Sequence, residues 1–285
     1  MDDFEYLKPS TLTEATSLLA RYKSKARVIA GGQSLIPMLR GRLLSPAYII
    51  GLEAIADLKC IQSQNGGLRI GAMATHREIA ASSLVKERAG ILSQAEVLVG
   101  SPAVRNLGTL GGNLCHNEVG ADPPPALLVL GATAVIAGPQ GERRLPLESF
   151  FKSFLETSLA EEEILAYIDI PTQPSGSAYA YLKYRHRAVD KAMVGVGVAL
   201  QMESELCREA RVALGGVAPV PFRSKGAEAT LTGQYLTESV IELAAVAAMT
   251  ETQGISDAHA SAEYRRDMVA VFTRRALRQA LEAKK

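Results

Sequence analysis

The chain has 285 residues, 31 basic against 30 acidic side chains, 47% hydrophobic and 21% charged residues, and three cysteines. That balance suits a soluble globular protein of two domains, or one large one, with apolar material enough for a core that needs no disulfide or metal staple. A net charge of +1 excludes the footprint of a nucleic-acid binder and wholesale attachment to an anionic membrane. Cys60, Cys115 and Cys207 are far apart with no C-x-x-C pair, which argues against a thiolate-rich zinc site and excludes a four-thiolate iron–sulfur cluster held by this chain alone. The start, Met1-Asp2-Asp3-Phe4-Glu5, is acidic where a signal peptide is positive. The most apolar stretch, residues 126–137, falls short of the roughly 20 residues that span a bilayer. The expectation is a cytoplasmic chain with no membrane span.

In chain order, residues 4–7 read as extended and stop at Pro9. Thr11 and Glu14 form a capping-box pattern, and Leu12, Ala15, Leu18 and Leu19 recur at helical spacing. Residues 27–30 are a short apolar strand running into Gly31-Gly32, and 34–43 fit a short helix with Pro37 in its first turn. Strands follow at 47–50 and 68–70, then helical patterns at 76–82 and 84–99. The segment 100–113 holds four glycines and a proline in fourteen residues and reads as loop. Pro123-Pro124-Pro125 precede a helix predicted at 126–130, and strands are predicted at 133–137 and 164–170. The linker chemistry of Thr172-Gln173-Pro174-Ser175-Gly176-Ser177 marks a domain boundary. Beyond it come antiparallel strands near 178–185, 193–202 and 208–215, and two helices at 238–251 and 262–283.

Several common chemistries are missing. There is no P-loop, no H-E-x-x-H or other metal spacing among the four histidines, and no G-x-S-x-G elbow. Gly195-Val196-Gly197 begins like a dinucleotide fingerprint but lacks the third glycine. Two glycine loops remain: Ala30-Gly31-Gly32-Gln33-Ser34-Leu35, directly after a strand, and Thr109-Leu110-Gly111-Gly112-Asn113. Paired glycines let successive N–H groups surround an anion, so two such loops suit a pyrophosphate clamped from both sides. Glycine content alone leaves two plain tight turns as the alternative. No catalytic acid–base pair and no metal site stand out. Cys115 reads as a small buried thiol, His76 as a polar residue opening a helix, and His116 and Asn117 as parts of a polar loop.

The segment Ile29-Ala30-Gly31-Gly32-Gln33-Ser34-Leu35-Ile36-Pro37-Met38 resembles the first FAD loop of the molybdenum hydroxylase flavoprotein subunit, the medium subunit of enzymes of the carbon monoxide dehydrogenase and xanthine dehydrogenase type. Val104-Arg105-Asn106-Leu107-Gly108-Thr109-Leu110-Gly111-Gly112-Asn113 resembles its second, and Asp122 falls nine residues after Asn113, as the family's flavin-contacting acid does. Val212-Ala213-Leu214-Gly215-Gly216-Val217-Ala218-Pro219 and Phe222-Arg223 are similar to the family's C-terminal domain.

The resemblance implies an α+β fold: a two-lobed FAD-binding domain of the vanillyl-alcohol-oxidase (PCMH) type at 1–173, lobes at about 1–55 and 56–173, then an α+β CO dehydrogenase flavoprotein C-terminal domain at 178–285. It gives Ile29, Ala30, Gly31, Gly32, Gln33, Ser34, Leu35, Thr109, Leu110, Gly111, Gly112 and Asn113 to the pyrophosphate and ribityl chain. Asp122 falls nearer the isoalloxazine, which the segment 183–191 approaches with Lys183 and Lys191; relatives often carry an aromatic or aliphatic side chain where Lys191 stands. It implies FAD on this chain, with molybdopterin and [2Fe-2S] clusters on partner chains: an iron–sulfur small subunit and a molybdopterin large subunit in an (αβγ)2 assembly. The chain would then pass electrons from the clusters to an external acceptor. Two other readings stay open, a free-standing FAD-dependent oxidoreductase of the same fold and a non-enzymatic binding module on a degenerate flavin fold.

Overall fold

Strand Ala26–Ile29 lies parallel to Tyr48–Gly51, which lies parallel to Glu5–Leu7 on its other side. Parallel neighbours need crossovers, and helix Leu12–Tyr22 supplies one, burying Ala15, Thr16 and Leu19. Thr11 caps this helix by accepting from the Glu14 N–H, whereas the Glu14 carboxylate returns to the Ser10 N–H, one residue before the cap that the capping-box pattern predicts. The computed structural model that shows this describes residues 3–283.

The next segment builds a five-stranded antiparallel sheet, ordered Ile61–Gln64, Gly67–Gly71, Ile164–Ile170, Thr133–Gly138, Gly141–Pro146. Its central strand pairs Ile168 with Ile70 on one side and with Ala134 on the other. Short helices cover the sheet, and their apolar residues Ile79, Leu92, Leu110, Leu114 and Leu127 join Ile70, Ile136 and Ile168 in one core. The predicted helix at 84–99 is two helices, Ser83–Arg88 and Gly90–Glu96, broken at Ala89 (φ −145°).

The glycine-rich stretch 100–113 corrects the sequence reading most. It is largely helical, with helices Pro102–Leu107 and Leu110–His116. Ser101 caps the first, with Pro102 at its first position, and Thr109 caps the second by accepting from the Gly112 N–H. In the second helix two glycines cost about 1 kcal/mol each and the cap returns about 1 kcal/mol, so burial of Leu110 and Leu114 holds the helix together with the cap. The proline triplet likewise starts its helix earlier, at Pro123–Val129, because a proline in the first turn forfeits no hydrogen bond.

The C-terminal part is an antiparallel sheet of Ser177–Tyr184, Val194–Glu203, Leu206–Gly215 and Phe222–Arg223. Helices Lys225–Leu231, Glu238–Thr250 and Ala262–Ala283 complete it. Val194, Val196, Val198 and Leu200 face these helices in one core. On the opposite face, a Cβ on Gly197 would lie 2.9 Å from the Pro125 carbonyl oxygen. Gly197 thus lets the sheet pack on the helix below it, while a Cβ on Gly195 would meet the Tyr181 hydroxyl at 2.9 Å. The fragment of a dinucleotide fingerprint is a packing device.

Candidate functional site

The first glycine loop leaves the parallel sheet at Ile29, whose carbonyl still accepts from Leu52 at 3.1 Å. Gly32 has φ +70°, the left-handed region open to glycine, and turns the chain into helix Leu35–Arg40. Carbonyls around this turn are used: Gly31 accepts from the Gln33 side chain, Gly32 from Ile36 and Ser34 from Met38. The N–H groups of Gly31, Gly32, Gln33, Ser34 and Leu35 have no protein acceptor among the described residues. A run of unpaired, half-buried amides on a strand-to-helix turn forms a nest, a geometry suited to an anion. The Ser34 hydroxyl, which caps nothing in its own helix, sits in the same run.

The second loop lies directly against the first. A Cβ on Gly31 would fall 2.0 Å from the Leu107 oxygen and 2.8 Å from the Gly108 Cα, while one on Gly112 would approach Ala30 at 3.6 Å. The structure therefore brings the two loops together, as the pyrophosphate-clamp reading requires. Their roles differ, however. Leu110 and Gly111 donate their N–H groups to Ala74 and Ala72, and Gly112 donates to Thr109 Oγ1. Gly111 is packed against Ala72, whose Cβ would be 2.5 Å from its own. The second loop is a capped wall facing the nest, with the amides of Leu110, Gly111 and Gly112 taken up within the protein. On this wall the Asn113 Oδ1 is buried with no partner, an acceptor waiting for a donor. Nest and acceptor together fit a ligand with a diphosphate and neighbouring hydroxyls.

Helix Leu110–His116 spans about 10 Å at 1.5 Å per residue. Past its end, a cavity of about 410 Å³ is bordered by Glu118, Gly120, His186, Asp190, Lys191 and Arg265. Lys191 is exposed and donates to Glu118 at 2.6 Å. Within the helix, burial pushes the Cys115 thiol up to about 12, leaving it inert as a nucleophile, and burial lowers His116. Asn117, expected in a polar loop, is instead buried; its amide donates to the Ser153 and Glu156 carbonyls.

Asp122 and Lys183, which the resemblance gives to the flavin, hold each other. Asp122 Oδ2 accepts from Lys183 Nζ at 2.7 Å and its Oδ1 from the Tyr181 hydroxyl at 2.8 Å. Lys183 donates also to the Leu98 carbonyl, and the two side chains are 4% and 1% exposed. Their polar atoms are thus taken up in an ion pair that ties the C-terminal sheet to the first domain. Burial lowers Lys183 and raises Asp122 to about 6, against the pull of the lysine. Sequence reading also missed the pair His76–Glu96, buried behind the Thr109 turn at 2.5 Å. The Thr75–Glu78 capping box marks His76 as the first residue of its helix, but nothing local to it points to Glu96.

Among the described residues, no helix is long and apolar enough to cross a membrane, and no group of histidine, cysteine and acidic side chains is arranged for a metal. Residues 2–173 match the FAD binding domain in molybdopterin dehydrogenase, and residues 177–280 the CO dehydrogenase flavoprotein C-terminal domain. The carbon monoxide dehydrogenase medium chain of Hydrogenophaga pseudoflava is 33% identical over 97% of this chain and 96% of its own. The glyceraldehyde dehydrogenase medium chain of Sulfolobus acidocaldarius is 31% identical over 97% and 98%. A solved structure of carbon monoxide dehydrogenase from Hydrogenophaga pseudoflava superposes with a TM-score of 0.97 at 33% identity, covering 99% of this chain and 98% of that one. The chain belongs to the FAD-binding medium subunits of the molybdenum hydroxylases, a family of oxidoreductases.

Proposed function

We propose that this chain holds FAD by its diphosphate on the nest of residues 31–35, inside an (αβγ)2 cytoplasmic complex with an iron–sulfur small subunit and a molybdopterin large subunit. The observation that carries the reading is the run of amides from Gly31 to Leu35 without protein acceptors, set against the capped start of helix Leu110–His116. Ile29 and Ala30 deliver the turn from the sheet. The Ser34 hydroxyl adds a donor, while Thr109, Leu110 and Gly111 shape the opposite wall and Gly112 leaves the gap open. Asn113 Oδ1 accepts from a ribityl hydroxyl. The cavity beside Lys191 and Glu118 receives the isoalloxazine end, and the Asp122–Lys183 pair holds the C-terminal sheet in place behind it. When bound, FAD supplies the redox chemistry that joins single-electron donors to an external acceptor.

Two observations favour a subunit over a free-standing oxidoreductase. The acid–base pairs His76–Glu96 and Asp122–Lys183 are enclosed, with side chains no more than 4% exposed, so neither reaches an organic substrate. The relatives named above are medium chains of enzymes acting on carbon monoxide and on glyceraldehyde. Substrates so different at about one-third identity fit a subunit that leaves substrate choice to another chain. Affinity purification from the native host tests this: iron, molybdenum and flavin should elute with the chain. A colourless lone chain would support the degenerate binding module instead.

A further inference from the structure

Behind the Thr109 turn the pair His76 and Glu96 is 2% and 0% exposed. His76 Nδ1 meets Glu96 Oε2 at 2.5 Å, and Glu96 Oε1 is buried without a partner. A carboxylate enclosed with one oxygen unbonded is a costly way to fill a core, and it asks for an explanation. The imidazole lies against the turn between helices Pro102–Leu107 and Leu110–His116, the turn on which Gly31 packs. The His76 N–H donates to the Gly108 carbonyl at 3.0 Å, and the neighbouring Thr75 bridges Thr109. A Cβ on Gly108 would lie 3.0 Å from His76 Cδ2 and 3.3 Å from its Nε2. On the far side of the same turn, the Cβ position of Gly31 is 2.8 Å from Gly108 Cα. Gly108 is therefore held between an imidazole edge and the first glycine of the nest.

We infer that His76, oriented by Glu96, is a positioning residue for dinucleotide binding: its ring edge sets the separation between the nest at 31–35 and the Thr109 wall. A glycine turn has no side chain to fix its place, so its position is dictated by whatever packs on either face. The ring in turn is locked by a short bond to a carboxylate, whose own place is fixed within helix Gly90–Glu96. The chain Glu96–His76–Gly108–Gly31 thus links a rigid element of the core to the amides that face the ligand. This arrangement turns a floppy gap into one of defined width. The inference rests on FAD being the ligand of these loops, which the unmodified chain tests separately.

The full-length chain, freed of flavin, is titrated with FAD by flavin fluorescence, and its melting temperature is recorded alongside. Three variants are compared with the unmodified protein. In His76→Asn the side-chain amide still reaches Glu96, but the ring edge at Gly108 is gone. Glu96→Gln still accepts from Nδ1. Leu277→Ala opens a cavity in the C-terminal core, where Leu277 is 0% exposed, and serves as a stability control. His76→Asn should fold and bind FAD about tenfold to a hundredfold more weakly. Glu96→Gln should stay within about threefold of the unmodified protein and Leu277→Ala within about twofold, the latter despite the larger fall in melting temperature. Unchanged FAD affinity in His76→Asn overturns the inference. So does an affinity that merely follows melting temperature across all three variants. If the unmodified chain takes up no FAD, the site assignment itself fails, which is a different result.

Discussion

Gly31→Ala is the sharpest single test of how the two loops meet. The φ of Gly31 lies outside the left-handed region that favours glycine, so the obstacle to a side chain is space. The new Cβ would sit 2.0 Å from the Leu107 oxygen, 2.7 Å from the Leu107 carbonyl carbon and 2.8 Å from the Gly108 Cα. Ordinary contacts begin near 3.5 Å, and every atom met here is backbone, so the loops must part by more than about 1 Å. Overpacking of this kind costs about 1–3 kcal/mol, or a fall in melting temperature of roughly 3–10 °C. The amides would also retreat from the facing wall, and we expect FAD affinity to drop about a hundredfold, equivalent to about 2.7 kcal/mol. Thermal melts of the flavin-free chain and fluorescence titration with FAD measure the two effects independently. Wild-type affinity in a variant that melts several degrees early would show that the spacing of the loops does not govern binding.

The other glycines and charges give contrasting outcomes. Gly111→Ala meets Ala72 at 2.5 Å and should destabilise the fold with or without FAD; a variant as stable as wild type would contradict that packing. Gly112 meets only the Thr109 hydroxyl within 3 Å, so Gly112→Val should fold and lose flavin, and a fully yellow preparation would remove this position from the site. Lys183→Met strands the buried Asp122 carboxylate, at a cost of about 3–5 kcal/mol at pH 8. The sign of the pH dependence follows from Asp122, whose folded value is raised from 3.8 to about 6. The folded chain binds this proton first, so the carboxyl's contribution is fully present below about pH 4 and is lost as pH rises through about 6. Without the lysine that window moves higher, so urea melts should show much of the Lys183→Met deficit recovered at pH 5; an equal deficit at both pH values would refute the pairing. Lys191→Ala removes an exposed pair with Glu118 and should change stability by less than about 1 kcal/mol, a limit that a single melt checks.

How much of this was legible in the sequence depended on the range of the interaction concerned. The nest was legible because strand, turn and helix cap are consecutive: residues 27–35 contain the apolar run, the paired glycines and the serine. The wall was legible as a glycine motif but not as a helix, since four glycines hid the caps Ser101 and Thr109. The role of Gly111 was hidden because Ala72, 39 positions earlier in the chain, fills its space. His76 with Glu96 and Asp122 with Lys183 are partners 20 and 61 residues apart. No local spacing marks such pairs; only packing of distant helices and sheets does. The alternation Gly195, Gly197 against Val194, Val196 and Val198 was visible, yet its meaning required knowing that both faces of the strand are covered.

The central claim is that this chain is the flavin-carrying member of a molybdenum-containing complex. A mild affinity purification from the native host, with size-exclusion chromatography followed by flavin, iron and molybdenum analysis of the same peak, tests it most directly. Electron delivery from a cluster needs the flavin close to a partner subunit, and a permanent partnership of that kind buries on the order of 2,000 Å² or more, so the assembly should survive the column. The account predicts one peak carrying about one FAD per copy of this chain together with iron and molybdenum. A monomer free of both metals that still oxidises an organic substrate would contradict it.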